Sequence, residues 1–338
     1  MPLFLGRSQA QKVIPSPPTA SSPSFLSSSP HTDASPSPQA PARSDQPNAG
    51  QPLVNDQNGV FVFKKQVDEV VLHATAVDAQ RHLLTKLNRG EFTVFEDGVA
   101  QSITSFREED VPVAIGIVVD NSGSMRDKRE KVNQAVLNLI RASDPRDEIF
   151  VVNFAEDYYL DQDFTSSFES LEAALQKAPM QGRTALYDAI VASCTHLEND
   201  AHAEKKILLV ITDGQDNSSQ ETLQQTQSRL QHENGPVLYA IGLLGDDLHH
   251  DAGHEALASL ASSTGGVAFF PASLNEVEDI TRSIAHDIRS QYMIGYKSTN
   301  PGRNSGYHSI RVEARAQGYS NILVRTRSGY YAGSPPAN

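Results

Sequence analysis

The 338-residue sequence contains no tryptophan and only one cysteine. A lone cysteine excludes any intrachain disulfide, and Cys194 falls on a helical stripe with Leu186, Ile190 and Leu197, which suits a buried small hydrophobe better than a reactive thiol. Cations are also scarce. The 28 Lys and Arg residues face 41 Asp and Glu, leaving a formal charge of −13. Such a field repels nucleic acid and anionic membrane surfaces as general partners, while a neutral or cationic protein surface is easily accommodated. No apolar run approaches the roughly 20 residues needed to span a bilayer. The start, Met-Pro-Leu-Phe-Leu-Gly-Arg, lacks the charged region and the apolar stretch of roughly 7 to 15 residues that a secretory signal needs, so export is not visible. Two catalytic signatures are missing as well: no Gly-x-Ser-x-Gly surrounds Ser122 or Ser124, and no Gly-x-x-x-x-Gly-Lys phosphate loop occurs.

Residues 113 to 124, Val-Ala-Ile-Gly-Ile-Val-Val-Asp-Asn-Ser-Gly-Ser, organise the rest. The apolar run is too short for a typical helix and reads as a fully buried parallel strand with Asp120 at its carboxyl end. Open α/β sheets place their ligands at that end. Ser122 and Ser124 follow, with Gly123 between them to permit a tight loop before a helical pattern begins. One carboxylate and two hydroxyls above a sheet edge suit a hard divalent cation rather than zinc or copper.

Along the chain, residues 1–55 hold 11 of the 19 prolines with many Ser, Ala and Gln, and read as a disordered tail. Residues 60–108 change to short strands, with Asp97-Gly98 as a hairpin turn between two alternating runs. About four strands are thin for an independent core. Further strands at 291–296, 308–314 and 321–327 supply the missing material, and the expectation is that 60–108 and 291–332 co-fold into one small β-sandwich. Between them, residues 110–290 alternate strand and helix as a doubly wound, mainly parallel sheet requires. The helices fall at 126–141, 166–177, after Thr184, and at 273–289; the strands fall at 147–154, 206–212, 236–244 and 264–270, with an edge hairpin at 158–164. The strand ending at Thr212 delivers Asp213 to the same rim as Asp120.

The pattern Asp120-x-Ser122-x-Ser124, a distant Thr184 in Gly-Arg-Thr-Ala-Leu-Tyr-Asp-Ala and a distant Asp213 in Val-Ile-Thr-Asp-Gly resembles the metal-ion-dependent adhesion site of von Willebrand factor A domains. A plain capped strand-to-helix turn explains only the first of these three parts. Beyond the metal motif, the Phe92 to Gly98 hairpin and the closing Thr326-Arg-Ser-Gly-Tyr-Tyr331 resemble a bacterial, Acidobacteria-type family of von Willebrand factor A-related proteins. The resemblance implies a Rossmann-like α/β fold and a magnesium ion, with manganese or calcium as alternatives. It implies direct coordination by Ser122, Ser124 and Thr184, and direct or water-bridged contact by Asp120 and Asp213, with Asn121 and Gly214 shaping the loops. A partner protein's Asp or Glu completes the ion, so the implied function is non-enzymatic, metal-dependent protein binding. Members often carry an export signal, which implies a periplasmic or extracellular setting despite the start of this chain.

Two rival functions are an assembly scaffold with an idle metal and a metal-dependent phosphatase or other hydrolase. The phosphatase pattern needs a second Asp two residues after the first, where Ser122 stands, and this removes the general acid. Other polar residues near the rim are Asp188, as a metal-supporting acceptor or a solvated helix residue; Asp216; and Asn217, as a helix cap. The stretch Asp246-Asp-Leu-His-His-Asp-Ala-Gly-His254 places His250 and His254 one helical turn apart, yet Gly253 weakens the helix and no Glu follows the first His, so it reads as a solvated polar loop.

Overall fold

All eight residues from Val113 to Asp120 are buried, and a strand covered on both faces has no reason to alternate polar with apolar side chains. The computed structural model describes residues 69–108, 110–177, 182–243, 252–300 and 306–333. The expected tail at 1–55, the opening of the 60–108 segment and most of the 246–254 histidine stretch lie outside the described residues.

In chain order the elements are β1 (Val70–Val77), β2 (Phe92–Glu96), β3 (Val99–Gln101), β4 (Ile103–Glu108), β5 (Val113–Asp120), α1 (Arg129–Arg141), β6 (Glu148–Phe154), β7 (Tyr158–Thr165), α2 (Phe168–Leu175) and α3 (Leu186–Asp200). They continue with β8 (Lys205–Thr212), α4 (Leu223–Leu230), β9 (Val237–Gly242), α5 (Ala252–Thr264), β10 (Ala268–Phe269), α6 (Val277–Arg289), β11 (Tyr292–Tyr296), β12 (Gly306–Ala314), β13 (Leu323–Arg325) and β14 (Gly329–Ala332).

The fold is mixed α/β. A six-stranded sheet runs in the order β10-β9-β8-β5-β6-β7, parallel throughout except for the β6–β7 hairpin at one edge. Chain order reverses between β5 and β8, so the carboxyl ends of those two strands flank the topological switch point where such sheets bind ligands. Ile115, Ile117 and Val119 of β5 pack with α1, α2 and α6 on one face. Ala114 and Val118 pack with α3, α4 and α5 on the other.

The flanks of the chain form a β-sandwich of two antiparallel sheets, ordered β13-β1-β11-β4 and β14-β12-β2-β3. Each sheet mixes strands from both flanks. Neither flank therefore owns a complete layer, and the shared core of Leu72, Val94, Tyr292, Ile294 and Ile310 exists only once both are present. The Tyr292 hydroxyl ties the layers further, donating to the Leu84 carbonyl at 2.7 Å and accepting from the Leu87 N–H at 2.9 Å. The strand expected at 321–327 is shorter than its sequence pattern. Leu323–Arg325 pairs with β1, then the chain changes layers and β14 pairs with β12. Gly329 permits that step, since a Cβ there would lie 2.3 Å from the Tyr307 hydroxyl and 2.5 Å from the His308 carbonyl.

The two parts are joined through the end of α6. Asp287 accepts from Arg325 at 2.9 Å and from the Tyr239 hydroxyl at 2.8 Å. The fully buried Lys205 donates to the Ile288 carbonyl at 2.6 Å, satisfying an end-of-helix acceptor. Arg289 pairs with Asp147 and donates to the Val111 carbonyl at 2.9 Å.

Cys194 is completely buried in the face beneath α3, and loss of solvent pushes its thiol up to about 12. A thiol reagent at neutral pH is therefore expected to leave the native chain unlabelled and to modify one thiol per chain in denaturant, read by mass spectrometry. Labelling of the native chain at the denatured rate would contradict this packing.

Candidate metal centre

Asp120 ends β5 with no exposed surface. Its Oδ1 accepts from the Ser122 N–H at 2.9 Å and its Oδ2 from the Thr212 hydroxyl at 2.6 Å. Burial raises the carboxyl above its ordinary range despite those donors, and the neighbouring Asp213 charge adds to the rise. From here a chain of oxygens crosses the switch point. The Ser122 and Ser124 hydroxyls are 3.0 Å apart, and Ser124 Oγ donates to Asp213 Oδ1 at 2.8 Å. The structure thus brings Asp120, Ser122, Ser124 and Asp213 onto one rim.

Thr184 reaches the rim from another direction. It is buried two residues before α3, and its Oγ1 lies 3.4 Å from where a Cβ on Gly214 would stand. Gly214 thus stands directly beside the threonine, with space for a Cβ in ordinary van der Waals contact. Asn217 holds Thr184 in place: its Oδ1 accepts from the Thr184 N–H at 2.9 Å, and its own N–H donates to the Thr184 carbonyl at 3.0 Å. Asn217 is not the helix cap expected from the sequence. That task falls to Thr222, whose hydroxyl accepts from the Gln225 N–H at the start of α4. Asp188 likewise faces a loop, accepting from the Gln220 and Glu221 N–H groups. Asp216 accepts from the Tyr187 N–H at 3.3 Å and from the Ser219 hydroxyl. Gly123 opens a 3-10 turn in which a Cβ would meet nothing, so the loop does not require glycine there.

Lys128 escaped the sequence reading. Its Nζ donates to Asp213 Oδ2 at 2.6 Å and to the Leu243 carbonyl at 3.3 Å. A signal existed: Lys128 occupies the N-cap of α1, where the helix dipole disfavours positive charge. A lysine there calls for a carboxylate partner.

The donor set tests well against a hard divalent cation. It consists of carboxylate and hydroxyl oxygens only, and Asp120 is a fully buried carboxylate whose two hydrogen-bond donors are uncharged. Such a group calls for positive charge nearby. Lys128 supplies positive charge on the Asp213 side.

The von Willebrand factor type A domain family matches residues 114–283. The chain belongs to that family. No curated protein matches it by sequence. Among solved structures, a von Willebrand factor type A protein from Catenulispora acidiphila aligns at 13% identity over 80% of this chain and 76% of its own, with a TM-score of 0.45. The conserved hypothetical protein BatB from Bacteroides thetaiotaomicron aligns at 18% identity over 53% of this chain and 100% of its own, with a TM-score of 0.42. The PilB minor pilin from Streptococcus sanguinis aligns at 14% identity over 54% of this chain and 63% of its own, with a TM-score of 0.43, so this chain spans less than two thirds of the pilin. The von Willebrand factor type A domain here is the six-stranded sheet with its helices, and the oxygen-lined rim lies at its switch point. Among the described residues no helix is long and apolar enough to cross a membrane.

Proposed function

We propose that this von Willebrand factor type A chain is a non-enzymatic protein-binding module whose contact depends on a divalent cation at the β5–β8 rim. The supporting observation is the hydrogen-bonded run from Ser122 through Ser124 to Asp213, set beside the buried Asp120. Magnesium is the ion of choice, with manganese or calcium as substitutes. Ser122, Ser124 and Thr184 would coordinate it directly, and Asp120 and Asp213 directly or through water. Two carboxylates neutralise a divalent ion and hydroxyls add no charge, so the ion stays electrophilic and accepts an Asp or Glu side chain from a partner. Lys128 competes for Asp213 and lowers the affinity for the free ion. Periplasmic or extracellular placement belongs to the same reading and rests on the resemblance alone.

A displayed peptide library selected on the immobilised chain in magnesium and eluted with chelator tests the proposal. Enriched peptides should share an Asp or Glu whose replacement by Ala abolishes binding, and Asp213→Ala should retain none of them. Peptides that stay bound in chelator would favour the scaffold alternative, with contacts made by the sandwich and the metal idle.

A further inference from the structure

The central sheet ends at β7, so one edge of that strand has no neighbour in the sheet. Natural edge strands are guarded against stray pairing, and β7 is guarded along only part of its length. Its far half is irregular, because the register with β6 shifts twice opposite residues 160–165. Acids in that half are engaged, Asp161 by Lys177 at 2.5 Å and Asp163 by His196 at 2.9 Å. The near half pairs regularly, Phe154 with Tyr158, Asn153 with Tyr159 and Val152 with Leu160. Tyr158, Tyr159 and Leu160 are 48%, 51% and 48% exposed. A strand covered on one face hides every second side chain, so three consecutive large apolar residues left in water form a patch that calls for cover.

A groove of about 810 Å³ runs between this half of β7 and α3, lined by Val191 and Ala192 and by the acids Glu156, Asp157, Asp188 and Glu221. Among the described lining residues there is no cation. Arg229, which reaches the lining Thr195 at 3.2 Å, is already paired with Glu198 at 2.6 Å. The near half also adjoins the rim. The Phe154 carbonyl accepts from the Asn121 N–H at 2.7 Å and the Ala155 carbonyl from the Ala185 N–H at 2.6 Å, so the turn into β7 is bonded to the residues that follow Asp120 and Thr184.

We propose that residues 158–160 of β7 take an extended, Lys- or Arg-bearing segment of a partner protein as an additional strand, with a cationic side chain in the acidic groove. Backbone pairing sets the register of that segment, and the groove's carboxylates select its charge. A second copy of this chain fits poorly, since an antiparallel pair centred on Tyr159 puts Asp157 opposite Asp161, like charges across a strand pair. The contact lies beside the ion and does not require it. Three residues of pairing are weak alone, too weak to hold a displayed peptide through washing, and a partner carboxylate on the ion supplies the rest.

The test is run in chelator on the full chain, so its failure leaves the metal reading standing. The probe is acetyl-Lys-Val-Lys-Val-Lys-Val-amide, compared with its Glu-for-Lys analogue and with a version N-methylated at every backbone nitrogen. Expected are saturable binding of the Lys probe, slowed hydrogen exchange at residues 158–160, no binding of the Glu analogue, and at least about tenfold weaker binding of the N-methylated version, which keeps the charge but cannot donate to a strand. Glu156→Gln combined with Asp157→Asn should weaken the Lys probe by about fivefold; both side chains are exposed, so the fold tolerates the change. Unchanged exchange at 158–160, equal binding of the N-methylated version, or unchanged affinity in the double variant overturns the proposal. A dimer in sedimentation that Leu160→Lys dissolves would overturn it in favour of a second copy at this edge.

Discussion

Asp120→Ala is expected to abolish saturable magnesium binding by the chelator-treated chain while leaving the metal-free protein folded. Both outcomes follow from the burial of one carboxylate. In the metal-free chain Asp120 is a buried carboxyl pushed upward by desolvation, and removing an uncompensated buried acid relieves that cost, offset by the acceptor lost to Thr212 and Ser122. The metal-free Tm should therefore change little. With magnesium present the wild-type Tm rises, because the ion binds only the folded chain, and that rise should vanish in the variant. Loss of a carboxylate ligand should weaken the ion by more than the roughly 10- to 100-fold seen for supporting partners. A magnesium-dependent Tm rise of wild-type size in Asp120→Ala would show that the ion binds elsewhere.

Gly116→Val should destabilise the chain by about 3 kcal/mol or more. Gly116 lies in the middle of β5, and a Cβ there would stand 2.4 Å from Phe150 Cζ and 2.8 Å from Leu208 Cδ1. Both neighbours are completely buried, so neither can swing into solvent. The strand that carries Asp120 would have to shift, disturbing the rim as well as the core. Shrinking the obstacle should help: in a double-mutant cycle, Phe150→Leu combined with Gly116→Ala should be less destabilised than the sum of the two single changes. Denaturant midpoints provide the readout, and strict additivity would mean that the two side chains do not compete for the same space.

The α/β class was readable because its signal is local. Val113 to Asp120 and Lys205 to Thr212 are apolar runs whose lengths suit strands, and each leads to an acid at the sheet's rim. Other features depend on contacts that no periodicity encodes. Asn217 resembles a cap in sequence, yet its amide bridges to Thr184, 33 residues away. Lys128 pairs with Asp213 across 85 residues. The layer change between β13 and β14 follows from which strands each can pair with, and strand propensity is silent about neighbours. Strands in both flanks could be read from alternation, whereas their interleaving within each sheet is a property of the folded chain.

That interleaving imposes an order on folding during synthesis. Leu87 meets the Tyr292 hydroxyl across 205 residues, so at about 5 to 20 residues per second the first strands wait roughly ten to forty seconds for their partners to be made. The strands of the central sheet, β5 to β10, are all made in that interval, and α6, which covers one of its faces, is finished just before β11. The early strands meanwhile expose apolar faces such as Leu72 of β1 and Val94 of β2, a period open to wrong partners. The sandwich closes last, and the ribosome sets when it can do so.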